Sequence, residues 1–332
     1  MTASLISIVI PVLNEADNLD ALIARVGAVM DGLDVRWEIV FVDDGSTDAT
    51  LAAIRRANGR DARIRAVSLS RNFGKEIAIA AGLRHARGDA AVIMDADLQH
   101  PPELVCDFLA RWREGYQVVY GQRLERVADS AVRRLFAGVF YRLFNALVRT
   151  DIPAGAGDFR LLDRKAIDAM NAIRETSRFN KGLFSWIGFR SIGVPYHVAE
   201  RAAGTTKWSL RRLARFALDG LTSFSTLPLR VWSLLGLAVS LTAFAYAAVF
   251  MIKTLVLGID VPGFPTLIIA VMFFSGVQLI SLGVIGEYLG RVYEEVKARP
   301  LYIIAEEIGG ADATTRQDLS VVRPAERAHG TS

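Results

Sequence analysis

Asp95, Asp97 and Gln99 stand where an apolar run stops, in Ile93-Met94-Asp95-Ala96-Asp97-Leu98-Gln99-His100-Pro101-Pro102-Glu103. Ala90 to Met94 reads as a buried strand, so both carboxylates fall at a strand's carboxyl end, where open α/β sheets bind ligands. Two carboxylates and an amide suit magnesium or manganese, which accept few protein oxygens and complete their shell with phosphate and water. The chemistry indicated is a divalent cation holding a diphosphate. Part of the motif is structural, since Pro101-Pro102-Glu103 are helix-start residues. An isolated Asp-x-Asp is common and carries little by itself.

Three other loops carry polar residues where a plain turn would suffice. Pro11-Val12-Leu13-Asn14-Glu15 follows the first apolar run, and Asp43-Asp44-Gly45-Ser46-Thr47-Asp48 follows the second. Helix capping accounts for Ser46 or Thr47. Adjacent Asp43 and Asp44 repel each other and require donors, which we expect from a base or ribose. Ser70-Arg71-Asn72-Phe73-Gly74-Lys75-Glu76 opens a helix whose free N–H groups favour anions. It lacks the glycine spacing of a Walker loop.

The elements that must position these loops alternate strictly. Strands are expected at Leu5–Val12, Trp37–Val42, Ile64–Leu69, Ala90–Met94 and Val118–Tyr120. Helices are expected at Ala16–Met30, Ala49–Asn58, Glu76–Ala86 and Pro102–Glu114. The alternation predicts an α/β fold with a mostly parallel, Rossmann-like sheet covered on both faces.

The remainder of the chain points to lipid. Hydrophobic residues make up 52% of 332, and mean hydropathy is +0.29. The excess lies in Val231 to Ile252 and Pro265 to Gly286, uncharged stretches each giving roughly 33 Å of helix against a bilayer core of about 30 Å. They predict a transmembrane hairpin. Arg211, Arg212, Arg215 and Arg230 precede it and Arg291, Lys297 and Arg299 follow it, so both termini are expected in the cytoplasm. Helices over about 129–149 and 208–226 carry apolar stripes with interspersed arginines and are expected at the cytoplasmic leaflet. The resulting division is a catalytic domain over 1–228, a hairpin over 229–290, and a C-terminal segment with a disordered tail over 291–332. A single cysteine, Cys106, excludes an intrachain disulfide and fits a reducing compartment. Net charge is only +4, so local arginine clusters point to phosphates or anionic lipid and not to nucleic acid.

Taken in order, the four loops resemble the family 2 glycosyltransferases of GT-A fold. Gly157-Asp158-Phe159-Arg160-Leu161-Leu162 and Glu200-Arg201-Ala202-Ala203-Gly204-Thr205-Thr206-Lys207-Trp208 narrow the resemblance to polyprenyl-phosphate glycosyltransferases. Thr206 replaces a serine frequent before the lysine and keeps the hydroxyl. The Gln-x-x-Arg-Trp signature of processive synthases is absent. The resemblance implies that Pro11, Glu15, Asp43 and Asp44 hold the nucleoside, and that Asp95, Asp97 and Gln99 hold the metal and donor diphosphate. It assigns Lys75 to nucleotide positioning, and Arg123, with Arg133 or Arg134 and with Arg160, to the lipid phosphate. Arg201 and Lys207 belong to a basic loop over the diphosphates. Asp158 either orders Arg160 or the acceptor, or serves as a base. The implied reaction is inverting, metal-dependent transfer of one sugar, glucose from UDP-glucose, to undecaprenyl phosphate at the cytoplasmic membrane face, for cell-envelope glycan modification. A homo-oligomer is implied as well. GDP-mannose, UDP-N-acetylglucosamine or an amino-arabinose nucleotide are alternative donors, and a nonenzymatic membrane nucleotide sensor is the alternative from another class.

Overall fold

Strands covered on both faces read as continuous apolar runs, and the interiors of the first two strands here are buried. In β1 (Leu5–Val12), Ile6, Ile8, Val9 and Ile10 have no exposed surface, and the same holds for Ile39, Phe41 and Val42 in β2 (Arg36–Asp43). The computed structural model describes residues 3–123, 156–176, 178–196 and 263–310, with scattered positions between 236 and 256. Helix α1 (Leu19–Asp31) packs Leu19, Leu22, Val26 and Met30 on this sheet, one apolar face at helical spacing. There follow α2 (Thr50–Arg60), β3 (Ile64–Leu69), α3 (Lys75–His85) and β4 (Ala90–Ile93). A 3-10 turn over Pro102–Leu104 then leads into α4 (Val105–Arg113), and β5 (Val118–Arg123) comes next. Helix α1 begins at Leu19 rather than Ala16, because Glu15 and Asn18 are bound into the preceding loop: Asn18 Nδ2 donates to Glu15 Oε2 at 2.6 Å.

Strand β6 (Ala156–Asp163) precedes α5 (Arg164–Ala172), α6 (Asn180–Trp186) and β7 (Ser191–Tyr196). The eight strands of the described residues run in the order β7-β5-β6-β4-β1-β2-β3-β8. Pairing is parallel among β4, β1, β2 and β3 and between β5 and β7. Strand β6 is antiparallel to both its neighbours. The expected mostly parallel sheet is therefore present, with two reversed members. The second is β8 (Ile304–Ile308), which closes the β3 edge in antiparallel register, Ala66 opposite Ile308 and Ser68 opposite Glu306.

Helix α7 (Phe264–Val296) is 33 residues, about 50 Å at 1.5 Å per residue. It continues past the apolar stretch ending at Gly286 into a charged turn where Arg291 pairs with Glu287 at 3.0 Å. Its Phe273–Val296 part is the one stretch among the described residues long and apolar enough to cross a membrane, and its side chains are unburied. The expected span over Val231–Ile252 lies largely outside the described residues, and the amphipathic helices over 129–149 and 208–226 lie wholly outside them. The chain divides into two compact units. One holds all eight strands and the segment from Arg299, and the other holds α7.

Candidate active site

The loops after β1, β2, β3 and β4 meet at the carboxyl ends of four parallel strands, the position where such sheets bind ligands. Loops one and two are stitched together. Asn14, at φ 56°, donates its N–H to Ser46 Oγ at 2.9 Å, and its side-chain carbonyl accepts from Thr47 N–H at 2.8 Å. Glu15 N–H donates to Thr50 Oγ1 at 2.9 Å, and Asp44 N–H to the Val12 carbonyl at 2.9 Å. Pro11, on β1, is paired with Val42 just before this junction.

Asp43 and Asp44 are almost fully buried, and the donors they require come from the protein. Asp43 accepts from Ser46 N–H at 3.0 Å and Ser68 Oγ at 2.8 Å. Asp44 takes the N–H groups of Phe73 and Gly74 at 2.7 and 2.9 Å. Burial pushes the Asp44 carboxyl up, against the pull of those two amides. Asp43 thus ties the second loop to β3, and Asp44 fastens the third loop to the second. Gly45 makes this possible: at φ +75°, a Cβ there would lie 2.6 Å from the Arg71 carbonyl carbon.

The Asp95 loop is held from beneath. Asp95 N–H donates to His100 Nδ1 at 3.1 Å, which places the imidazole proton on Nε2, and Gln99 N–H donates to Asp97 Oδ1 at 3.1 Å. Leu98, at φ 59°, makes the reversal between them. The His100 ring is buried, which holds its pKa below the usual range, and stacks on Phe159 of β6 at 4.7 Å between centroids. His100 was no site candidate in the sequence. Its place five residues before α4 in a polar loop gave no hint of a ring stacked in the core.

At the centre stands Lys75, the first residue of α3. Its ammonium lies 2.6 Å from Asp95 Oδ1 and 2.8 Å from Oδ2, and 2.9 Å from Asp158 Oδ2. Burial opposes its charge, but the two carboxylates outweigh that and hold Lys75 above the ordinary lysine range. Burial likewise opposes ionisation of Asp158, yet Lys75, Lys181 and Arg160 pull its carboxyl down to about 2. Asp158 Oδ1 is buried with no hydrogen-bond partner among the described residues. The neighbouring Glu76 accepts from Asn180 N–H at 2.8 Å, and burial together with Asp158 pushes its carboxyl up.

Arg160 is 4% exposed. Its guanidinium lies over the Phe184 ring at 4.0 Å and donates to the Gly157 carbonyl, while burial lowers its pKa to about 10. Arg123 is exposed at the end of β5, opposite Tyr196. Arg133, Arg134, Arg201 and Lys207 lie outside the described residues.

No group of three or more His, Cys, Asp or Glu side chains converges among the described residues. The Asp95 and Asp97 carboxylates and the Gln99 amide share one loop and offer hard oxygens of the kind that would suit a magnesium- or manganese-like ion arriving with phosphate oxygens of its own. They do not fit an ion caged by protein alone.

A profile of the family described as Glycosyl transferase family 2 matches residues 7–170. An uncharacterized glycosyltransferase of Synechocystis sp. is 50% identical over 301 residues, 91% of this chain and 95% of its own length. The SfII prophage-derived bactoprenol glucosyl transferase of Shigella flexneri is 42% identical over 305 residues, 92% and 99% of the two chains. The prophage bactoprenol glucosyl transferase homolog of Escherichia coli is 41% identical over 299 residues, 90% and 98% of the two chains.

Proposed function

This chain belongs to glycosyl transferase family 2, and from that premise we propose that it moves one glucose from UDP-glucose to the phosphate of a membrane polyprenol, with inversion at the anomeric carbon. The observation that carries the acceptor is the full-length likeness to proteins named bactoprenol glucosyl transferases. That likeness extends past the sheet into the region of α7.

A lipid monophosphate has its second pKa near 6 and attacks as a dianion at neutral pH, so a strong base is unnecessary. Asp158 accords with this, because a carboxyl held near 2 and paired with Lys75 is a poor proton acceptor. Its role is to orient. Asp95, Asp97 and Gln99 would hold the divalent cation, which when bound supplies charge neutralisation for the donor and departing nucleoside diphosphates. Pro11, Glu15, Asp43 and Asp44 frame the nucleoside end. Arg123, with Arg133 or Arg134, meets the acceptor phosphate, Arg160 supports that wall from within, and Arg201 and Lys207 close over the diphosphates.

A polyprenyl tail stays in the bilayer, so its phosphate must be met at headgroup level. We place the chain in the cytoplasmic membrane as a two-span protein, self-associating, with the sheet on the cytoplasmic side. The return of the chain to β3 as β8 supports an even number of crossings between β7 and β8. The test is full-length protein in detergent with undecaprenyl phosphate and a panel of radiolabelled nucleotide sugars, with and without Mg²⁺ or Mn²⁺. Label should enter lipid from UDP-glucose and require the cation. Absence of lipid-linked product from every donor would refute the reading.

A further inference from the structure

Antiparallel β4 and β6 pair Ala90 with Asp163 and Ile93 with Arg160. The same register continued by two residues sets Asp95 opposite Asp158, a like-charge cross-strand pair that is unfavourable unless a cation stands between them. Lys75 is that cation: it donates to Asp95 Oδ2 at 2.8 Å, and its ammonium lies 2.6 Å from Asp95 Oδ1, which like Asp158 Oδ1 accepts no hydrogen bond among the described residues. A divalent ion would need one of those oxygens at about 2.1 Å, beside an ammonium that already lies 2.6 Å from Oδ1. The carboxylate has lone pairs for both, but two cations at that range repel each other, so the ion binds more tightly once Lys75 withdraws. Withdrawal has a destination. Asp158 already binds the ammonium through Oδ2, and its Oδ1 is buried without a partner among the described residues. The flexible four-carbon stem permits a short swing between the carboxylates.

We propose that Lys75 is a resident stand-in cation that occupies Asp95 until a nucleoside diphosphate arrives, so that metal ion and donor load together. The proposal rests on Asp95 being a metal-site carboxylate, as assigned above. An ion alone is repelled by the ammonium and adds charge to carboxylates that Lys75 already offsets. An ion with a diphosphate brings the negative charge that compensates both cations. Lys75 is in this sense a positioning residue that couples two ligands, and coupling of this kind is reciprocal.

Mn²⁺ binding followed by electron paramagnetic resonance, with and without UDP or GDP and with no lipid acceptor, reads the coupling directly. Native protein should bind Mn²⁺ about fivefold or more tightly when a nucleotide is present. Lys75→Met should bind Mn²⁺ about fivefold or more tightly than native protein in the absence of nucleotide, and lose most of the nucleotide enhancement. Lys75→Arg, which keeps the charge, should resemble the native protein. A merely structural lysine would not tighten metal binding when removed. Lys75→Met binding nucleotide-free Mn²⁺ no more tightly than native protein would overturn the proposal. So would native protein that binds Mn²⁺ equally well without either nucleotide, a result that needs no variant to fold. Failure of sugar transfer to lipid alongside the expected Mn²⁺ behaviour would strike the acceptor assignment and leave Lys75 standing.

Discussion

Asp158 illustrates how one distance changes a residue's role. Its carboxyl is held near 2 with Lys75 at 2.9 Å, so it is ionised wherever the enzyme works. The folded pKa lies below the ordinary value of 3.8, so the stabilisation is complete above about pH 4 and is lost as pH falls through about 2. The shift corresponds to about 2 kcal/mol. Asp158→Asn should therefore cost about that much in urea unfolding, with no change in the cost between pH 5 and pH 8. Transfer should fall below about pH 6 as the acceptor phosphate gains a proton, and residual activity of Asp158→Asn should show the same acid limb. An acid limb that disappears in the variant would mark Asp158 as a base. Asp97→Ala should abolish transfer while leaving membrane insertion intact, read by activity and membrane fractionation together. His100→Ala leaves the Asp95 N–H without its acceptor and should cost about 1–3 kcal/mol in unfolding, with weakened metal binding.

The catalytic loops owe their shape to segments distant in sequence. Strand β8 covers the β3 edge, Ser70 N–H donates to the Ile303 carbonyl at 2.9 Å, and Arg55 forms an ion pair with Glu306. Tyr302 and Ile304 join Phe73 against Val42, Val67, Leu69, Ala78 and Ala81. The third loop therefore has one of its walls built by residues that follow α7. Deleting residues 303–332 should lower the melting temperature of the full-length enzyme in detergent and speed amide exchange in β3 and at Phe73–Gly74. Gly45→Ala should destabilise by about 1–3 kcal/mol, because an L-residue is strained at φ +75° and its Cβ meets the Arg71 backbone. Thermal melts compared with Gly59→Ala, where a Cβ meets nothing within 4 Å, isolate that effect.

For the molecule as a whole, β8 ties the segment after α7 to the same sheet as β1 through β7. Catalytic domain and post-helix segment must then share one side of any membrane, the side we assign to the cytoplasm. Cys106, exposed on α4, is a native reporter. An impermeant maleimide should leave it unlabelled in intact cells and label it in inverted vesicles, and a cysteine placed at Gly310 should behave identically. Labelling of either in intact cells would remove the cytoplasmic assignment.

Alternating apolar runs and polar loops were enough to foresee β1 through β5, their helices and the family, because strands buried on both faces must be apolar along their whole length. The Asp95 loop was legible for the same reason: carboxylates are conspicuous where a buried run ends. Strand β6 was not, since Gly157, Asp158 and Arg160 break the apolar pattern, and its reversal is set by pairing with β4 and β5. Nor was β8, a five-residue strand with two glutamates whose stability comes from the β3 edge it covers. Donors for Asp43 and Asp44 were expected from a ligand, whereas loops two and three and Ser68 of β3 supply them once folded together. The sequence by itself determined the sheet's parallel half and the chemistry of the loops, which depend on local pattern and residue type. Only the tertiary structure decided that Lys75 lies between Asp95 and Asp158, because charges 20 and 83 residues from it meet through strand register alone.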